Sequence, residues 1–428
     1  MQTRDRSVPR AHTMITMNIY WFGLAFMWNA LHPIVLPALL LRFVPEELKN
    51  TYLGAMTFVG LMLAMTMQPL AGAWSDRTRS RWGRRRPWMV AGTLASLVCL
   101  AIMAGARELG ALALGYVLLQ LFSNMAHGPA QGLIPDLIPP ARHGLASGVK
   151  NLFDMGGLVV TSLVAGQLMA GDAPVVAFAI IAVVLTVSAA ITILATREAI
   201  GGIPHIAPGK AISLRADLGR YPAYAEMLVA RFLILLGIYV VQSFAQYYIR
   251  DWLGMANAAA VTGNLMAAIG LALTLLVFPA GWLSDRIGRW SLNIASGAVA
   301  AIGIGLLVFA RSVEAVYAFG AIIGMATGVF VSVNWALATD LVPAAESGKF
   351  LGFTNLATAG AGALSRLGGP LIDGVNALQP GDFLGYPVAF GLAAAATLAG
   401  AILLWHVRRR AERNGLHIAV SDQPVTDR

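Results

Sequence analysis

Charged side chains are scarce in this sequence of 428 residues. Asp, Glu, Lys and Arg together make up 12% of it, whereas hydrophobic residues make up 57%, and the mean hydropathy is +0.69. A chain of this length could form two or three water-soluble domains, but it has too few polar residues to cover their surfaces. The composition therefore indicates a protein of the lipid bilayer.

Cysteine is nearly absent as well, and the common cofactor motifs are missing. The one cysteine, Cys99, lies in an apolar stretch, so a disulfide within the chain is excluded and redox chemistry is not indicated. The sequence has no Gly-rich phosphate loop, no His/Cys group with metal-ligand spacing and no catalytic constellation. We therefore expect no cofactor, no metal and no enzymatic activity.

The few charges that are present are mostly positive. Lys and Arg number 30 against 21 Asp and Glu, and six arginines fall between Arg77 and Arg86. In a soluble protein this would indicate a nucleic-acid surface, but in a membrane protein Lys and Arg concentrate in the loops that stay in the cytoplasm. We expect a topology signal and no nucleic-acid partner.

Twelve apolar stretches, called spans 1 to 12, are each long enough to cross a bilayer, which takes about 20 residues. They lie at 16–41, 51–74, 88–106, 110–134, 144–170, 174–196, 226–249, 257–282, 291–310, 313–338, 348–372 and 385–407. A polar, basic linker, 197–225, is rich in Pro and Gly. We predict an all-α membrane protein with six-helix bundles at 16–196 and 226–407 and cytoplasmic tails at 1–15 and 408–428.

Charge counting predicts the orientation of the spans. With a cytoplasmic N-terminus, 22 Lys and Arg fall on the cytoplasmic side and five in the outer loops, while Lys150, Arg231 and Arg366 lie within spans. This bias favours cytoplasmic N- and C-termini in the plasma (inner) membrane. The first apolar stretch is too long for a cleaved signal peptide, so we expect it to remain as span 1.

The two halves of the chain repeat one another. "AGAWSDR" at 71–77 matches "AGWLSDR" at 280–286, and "DLIPPARHGLASGVKNL" at 136–152 matches "DLVPAAESGKFLGFTNL" at 340–356. The offsets are 209 and 204 residues, and their near agreement indicates an internal duplication. In membrane transporters such repeats place the substrate site at the interface between the units.

The repeated motifs predict a gate at the cytoplasmic end of each half. An aspartate there can accept charge-assisted hydrogen bonds from arginines and from a facing helix N-terminus, and glycines permit tight turns. The predicted gate residues are Gly72, Asp76, Arg77, Gly83, Arg84, Asp136, Arg142, Gly281, Asp285, Arg286, Gly288, Arg289 and Asp340. The alternative is that most of the arginines only set the topology.

The motif "GxxxDRxGR", present after span 2 and again after span 8, resembles the major facilitator superfamily. The longer first copy, "SDRTRSRWGRRRP", and "HGPAQGLIPDL" at 127–137 resemble its sucrose and disaccharide/proton symporters and, more loosely, its glycoside-cation symporters. The resemblance implies the two-bundle fold of that superfamily and alternating access. Where plant sucrose symporters carry an arginine in span 4, this sequence has Gln131, so a charge linked in that family to proton coupling is missing.

Ionisable residues found in only one half are the predicted proton-coupling groups. Lys150 and Asp154 lie four residues apart on span 5, close enough to pair, while the equivalent positions of the second half are Thr354 and Thr358. His127 on span 4 is a third such group, because an imidazole changes protonation near neutral pH. The alternative for Lys150 and Asp154 is a structural ion pair.

Amide and aromatic side chains within the spans are the predicted substrate-binding groups. Amides both donate and accept hydrogen bonds, and an aromatic ring covers the apolar face of a sugar, so the set suits a neutral polyhydroxyl ligand. Its members are Trp28, Asn29, His32, Asn124, His127, Gln131, Asn151, Gln242, Gln246, Asn334, Trp335 and Asn355. The alternative is that they hold membrane helices together.

These observations favour a secondary active transporter that takes up a sugar or glycoside with a proton. The first alternative is a proton-coupled exporter of a drug or metabolite, although the glycines of span 5 come without the Gly-Pro motif usual in exporters of this superfamily. The second is a non-transporting receptor or assembly factor. The expected partners are a small-molecule substrate, a proton or alternatively a sodium ion, and the lipid bilayer, and the chain is expected to be a monomer.

Overall fold

The computed structural model describes residues 11–139, 142–196, 218–342 and 347–413. Most of the predicted tails and of the linker, namely residues 1–10, 197–217 and 414–428, lies outside the described residues. Within the described ranges all long regular elements are helices, as the apolar runs predict.

Spans 1 to 6 are helical close to their predicted bounds. Span 1 is Ala11–Ala30, a π-helical turn at Leu31–Val35 and a last turn at Leu36–Leu40. Spans 2 and 3 are Lys49–Arg77 and Arg86–Ala104, and span 4 is Leu109–Gln131 followed by the short helix Leu133–Leu137. Spans 5 and 6 are His143–Ala170 and Pro174–Ala195.

Spans 7 to 12 follow the same order. They are Pro222–Asp251, Ala258–Ile287, Arg289–Leu307 and Val313–Asp340 for spans 7 to 10, Ser347–Ser365 with Gly368–Leu378 for span 11, and Gly385–Arg413 for span 12. Of the described helices, 11 are long and apolar enough to cross a membrane. The broken span 11 is not among them.

The chain divides into two compact units. Unit 1 comprises Met1–Ala207 and Asn257–Ala267, and unit 2 comprises Pro208–Ala256 and Ala268–Arg428. The first turns of span 8 therefore group with unit 1. There Gly166 and Gly263 allow span 5 and span 8 to approach closely, since a Cβ added at Gly263 would lie 3.0 Å from the Gly166 Cα.

Span 1 is the central helix of unit 1, with its most extensive contacts to spans 5 and 6. The Thr192 hydroxyl of span 6 donates to the Thr16 carbonyl at 2.8 Å and accepts from the Tyr20 amide at 3.1 Å. The Thr161 hydroxyl of span 5 donates to the Phe26 carbonyl at 2.8 Å. These hydroxyls fix the position of span 1 where a bilayer offers no hydrophobic force between helices.

The π-helical turn of span 1 contains a histidine and a proline. His32 and Pro33 both lie in Leu31–Val35, and proline has no N–H to donate within a helix. A π turn inserts one extra residue and is often found at functional sites. The turn therefore sets the direction in which His32 leaves the helix.

Span 7 is the central helix of unit 2, packed mainly against spans 12 and 11. Close approach depends on small residues, because a Cβ added at Gly400 would lie 2.8 Å from the Ala230 carbonyl oxygen. Spans 8 and 10 are equally close, as a Cβ at Gly328 would lie 2.6 Å from the Leu273 carbonyl oxygen. This packing leaves span 7 with buried side chains on most of its surface.

Candidate functional site

Trp21 of span 1 joins three elements of unit 1 through its ring. The Lys150 ammonium nitrogen of span 5 lies 4.0 Å from the ring centre, and the His127 ring of span 4 meets it edge-on at 4.9 Å between centroids. Lys150 also donates to Asp154 at 2.8 Å. We call these four residues the Trp21 cluster. It brings together all three predicted proton-coupling groups: Lys150 and His127 contact the buried ring, and Asp154 is bonded to Lys150.

A row of polar side chains continues from this cluster along spans 1 and 4. The His32 ring stacks on Trp28 with centroids 5.0 Å apart, and its Nε2 lies 3.0 Å from the Tyr116 hydroxyl. The Gln120 amide donates to the same hydroxyl at 2.7 Å and lies within 3.2 Å of His32 Nε2. The Asn124 amide donates to the Gln120 carbonyl at 2.8 Å. We call Trp28, His32, Tyr116, Gln120 and Asn124 the polar row.

The other predicted binding residues of unit 1 lie apart from the row. The Gln131 amide lies 3.3 Å from His127 Nε2, so it extends the Trp21 cluster. The Asn29 amide donates to the Ala25 carbonyl of its own helix at 2.8 Å. Asn151 is exposed at the start of span 5. Gln131 therefore lies next to a predicted coupling group, and the Asn29 side chain is bonded to the backbone of its own helix.

In unit 2 a buried arginine holds three spans together. Arg231 of span 7 donates to the Asn334 side-chain oxygen at 2.6 Å and to the Thr358 hydroxyl at 3.0 Å. Asn334 in turn donates to the Met227 sulfur at 3.6 Å. We call Arg231, Asn334 and Thr358 the Arg231 cluster. The predicted sugar-binding amide of Asn334 is thus occupied by a cation.

The remaining predicted residues of unit 2 are spread over different surfaces. Trp335 and Asn355 are exposed, Gln242 is half-buried and Gln246 is buried. Gln242 and Gln246 lie one turn apart on span 7, as their spacing predicts. Within this unit the structure brings Asn334 to the Arg231 cluster and leaves Trp335 on the outside of its helix.

Three predicted gate residues of unit 1, Asp76, Arg84 and Asp136, form a compact ion-pair cluster with Arg85, which was not predicted. The Arg85 guanidinium contacts Asp76 at 2.6 Å and Asp136 at 2.9 Å, and it donates to the Ser75 hydroxyl at 3.1 Å. Arg84 also pairs with Asp136. We call Asp76, Arg84, Arg85 and Asp136 the unit 1 ion-pair cluster, which joins the ends of spans 2, 3 and 4.

Gly132 makes room for this cluster. A Cβ added at Gly132 would lie 2.5 Å from the Arg85 Cζ, a separation that real side chains do not adopt. The glycine at the end of span 4 therefore lets the guanidinium reach Asp136. With a side chain at this position the guanidinium would have to shift.

Unit 2 repeats the arrangement with one arginine. Arg289 contacts Asp340 at 2.5 Å and Asp285 at 3.5 Å, and these residues form the unit 2 ion-pair cluster. The preceding turns match as well, since Gly83 and Gly288 have φ of +99° and +87°. That left-handed backbone favours glycine, so the duplicated motif has the same local geometry in both units.

Other predicted gate residues lie at the margins of these clusters. Arg77 and Arg142 are exposed, and within the described ranges neither forms an ion pair; the partners of Asp136 are Arg84 and Arg85. Arg286 lies over the Trp282 ring at 3.8 Å. A Cβ added at Gly72 would lie 4.0 Å from the Gly128 carbonyl oxygen of span 4, whereas a Cβ added at Gly281 would have no neighbour within 4 Å.

Several central residues were not among the sequence predictions. Gln120 and Tyr116 lie four and eight residues before Asn124, on the same face of span 4, so helical spacing alone could have identified them. Trp21 lies seven residues before Trp28 and carried the same signal. Arg85 and Arg231 gave no such signal, because their partners come from other spans.

Comparison with known proteins gives a consistent result. A family model described as Major Facilitator Superfamily matches residues 13–366 and 227–420. The crystal structure of a D-xylose-proton symporter has a TM-score of 0.71 at 15% sequence identity and covers 92% of this chain and 98% of that one. At this identity the likeness concerns the fold.

Curated relatives match over shorter stretches. Human Proton-associated sugar transporter A is 28% identical over 201 residues, which is 41% of this chain and 26% of that protein. Sucrose transport protein SUC4 of Arabidopsis thaliana is 28% identical over 157 residues, which is 32% of this chain and 30% of that protein. The chain thus matches less than a third of the length of these relatives.

Proposed function

Because this chain belongs to the Major Facilitator Superfamily, we propose that it carries a sugar or glycoside into the cell together with a proton. Its helices are those of a multi-pass membrane protein. The names of the human and Arabidopsis relatives, a proton-associated sugar transporter and a sucrose transport protein, support a sugar as substrate. The orientation proposed from the charge bias places both termini in the cytoplasm.

The observation that carries this proposal is the Trp21 cluster beside the polar row. Asp154 can take up a proton, and its bond with Lys150 at 2.8 Å depends on its negative charge. When Asp154 is protonated, Lys150 loses its counter-charge while its nitrogen remains 4.0 Å from the Trp21 ring centre. A protonation event in span 5 is thereby transmitted to spans 1 and 4 through one ring.

The polar row supplies groups of the kind that bind a sugar. Trp28 offers an aromatic face, and the side chains of His32, Gln120 and Asn124 offer donors and acceptors. Gln120 and Asn124 are held in place by hydrogen bonds of 2.7 Å and 2.8 Å, so their orientation is set before a ligand arrives. Preorganised polar groups lower the entropic cost of binding.

An uptake assay in proteoliposomes tests the proposal. Purified protein is reconstituted with an imposed pH gradient, acid outside, and offered labelled mono- and disaccharides. We expect accumulation of at least one sugar above its equilibrium level and loss of that accumulation when a protonophore collapses the gradient. An imposed sodium gradient at constant pH serves as the matched control and separates a sodium-coupled from a proton-coupled carrier.

The opposite result is equally clear. If no sugar accumulates while the pH gradient drives movement of a hydrophobic cation in exchange for protons, the chain is an exporter and the proposal is wrong. A protein that binds sugars but moves none in either direction would instead indicate a receptor.

A further inference from the structure

Arg231 is a buried cation with neutral partners. Its side chain is 3% exposed, and among the described residues its hydrogen bonds go to the Asn334 side-chain oxygen at 2.6 Å and the Thr358 hydroxyl at 3.0 Å. No carboxylate lies within 4.0 Å of its guanidinium in that part of the chain. Its charge is therefore hydrogen-bonded but not neutralised.

Three other cations of the described chain, one buried and two half-buried, are paired with carboxylates instead. Lys150 has Asp154 at 2.8 Å, Arg85 has Asp76 and Asp136, and Arg289 has Asp285 and Asp340. Burying an unpaired charge costs several kcal/mol, and an ionisable group within a membrane span is by default a functional group. Arg231 therefore needs an anion that the described chain does not supply.

Two phenols of the same helix lie near Arg231. Tyr224 and Tyr239 are within its electrostatic neighbourhood, and a second span arginine, Arg366, lies near Tyr239. The Tyr224 hydroxyl lies 2.8 Å from the Thr354 hydroxyl. Glu226, an acidic residue of the same helix, pairs with Arg410.

We propose that Arg231 binds the carboxylate of the transported sugar, so that the substrate class is an acidic sugar, such as a uronate or a glycoside that carries one. This inference rests on the proposed transport function and narrows its substrate. A guanidinium has five N–H donors, and Asn334 and Thr358 occupy two of them. The remaining donors match the paired oxygens of a carboxylate, which arginine binds in a bidentate manner.

Asn334 and Thr358 act as positioning residues in this arrangement. Both present a neutral oxygen to the guanidinium, so they fix its plane without cancelling its charge. A carboxylate at either position would neutralise Arg231 and compete with the substrate. The neutral partners thus explain why the two sides of the guanidinium are hydrogen-bonded while its charge stays available.

The charge of the substrate changes the electrical behaviour of transport. A neutral sugar carried with one proton moves one positive charge, whereas a monoanionic sugar carried with one proton moves none. A membrane potential, negative inside, therefore drives accumulation of a neutral sugar but leaves that of an acidic sugar unaffected. A pH gradient drives both.

The test measures uptake of glucuronate and galacturonate beside glucose and sucrose in proteoliposomes. We expect the wild type to prefer the uronates and a pH gradient, but not an imposed potassium diffusion potential, to drive their accumulation. Arg231→Met should lower uronate uptake about 10- to 100-fold, the factor expected for a lost charge-assisted hydrogen bond. Arg231→Lys keeps the charge without the bidentate geometry, so its uronate uptake should lie between that of the wild type and that of Arg231→Met.

Thermal stabilisation in detergent provides a second readout that does not depend on transport. Uronates should raise the melting temperature of the wild type and of Arg413→Gln, an exposed arginine of span 12, but not that of Arg231→Met. Failure of the uronates to stabilise or enter the wild type, while neutral sugars do so, overturns this inference and leaves the proposed function standing. Equal loss of neutral and acidic sugars in Arg231→Met identifies Arg231 as structural and also overturns it.

Uronate binding without transport of any sugar would support the anion site and reject the proposed function. The two failures are therefore distinguishable.

Discussion

The ammonium group of Lys150 lies over the face of Trp21, 4.0 Å from the centre of the ring. Its other partner, Asp154, lies 2.8 Å away, and the ring also has an edge contact with His127. One cation thus interacts with a carboxylate and with an aromatic quadrupole at the same time. Trp21 therefore has an electrostatic role toward Lys150 in addition to its hydrophobic packing.

Replacing Asp154 by asparagine should abolish proton-driven accumulation. The amide cannot exchange a proton, so Lys150 loses its charged partner at every pH. Counterflow, in which labelled sugar exchanges for unlabelled sugar without a gradient, should continue, because it needs no net proton movement. The comparison variant is Asp382→Asn in an exposed loop of unit 2, and it should behave as the wild type; accumulation that persists in Asp154→Asn would assign coupling to another group.

Replacing Trp21 by leucine should reduce proton-driven uptake about 30-fold, because a desolvated cation–π contact contributes about 2 kcal/mol. Trp21→Phe keeps an aromatic face for Lys150 and should retain most of the uptake. The measurement is the initial uptake rate at a fixed pH gradient, normalised to protein inserted. Trp82→Leu is the control, since Trp82 is 56% exposed; equal rates for Trp21→Leu and Trp21→Phe would show that only side-chain volume matters.

The sequence predicted most of the fold and part of the site, for identifiable reasons. Runs of apolar residues and the duplicated motif depend on local composition, so the spans and the pairing of Asp76 with Asp285 as equivalent positions could be predicted. Helical spacing also linked Asn124 with His127. The break of span 11 after Ser365 precedes Gly368, Gly369 and Pro370, and it was not predicted.

Contacts between distant spans could not be predicted in this way. Arg85 was one of six arginines in ten residues, and its selection depends on the turn at Gly83 and on the space left by Gly132. Arg231 meets Asn334 and Thr358 more than 100 residues away. Such contacts depend on how spans pack, which periodicity within one span does not determine.

Replacing Arg85 by glutamine should destabilise unit 1 far more than the same change at Arg77. Arg85 has a side chain that is 7% exposed and contacts both Asp76 and Asp136. Its removal takes a charge-assisted partner from each carboxylate, while Asp136 keeps Arg84, at a cost of about 1–3 kcal/mol. Arg77→Gln removes an exposed charge and should change stability by less than about 0.5 kcal/mol. Melting temperatures in detergent measure both, and equal values for the two variants would contradict the role given to Arg85.

Replacing Gly132 by alanine should have a similar effect without altering any charge. The added Cβ would lie 2.5 Å from the Arg85 Cζ, so the guanidinium must move away from Asp136, and overpacking of this kind costs about 1–3 kcal/mol. Gly148→Ala is the matched control, because that helical glycine has no neighbour within 4 Å of an added Cβ. It should leave stability unchanged or raise it by up to about 1 kcal/mol, and a loss as large as that of Gly132→Ala would contradict the role given to Gly132.

The two ion-pair clusters differ in how far water and dissolved ions reach them. Arg85 is 7% exposed, while Arg289 is 32% and its partner Asp285 is 65% exposed. Counter-ions screen exposed charges within about 10 Å at 0.1 M ionic strength and affect buried pairs much less. A rise in ionic strength therefore weakens the unit 2 cluster while the unit 1 cluster persists, so the duplicated halves, built on one motif, respond unequally to the salt content of the surrounding solution.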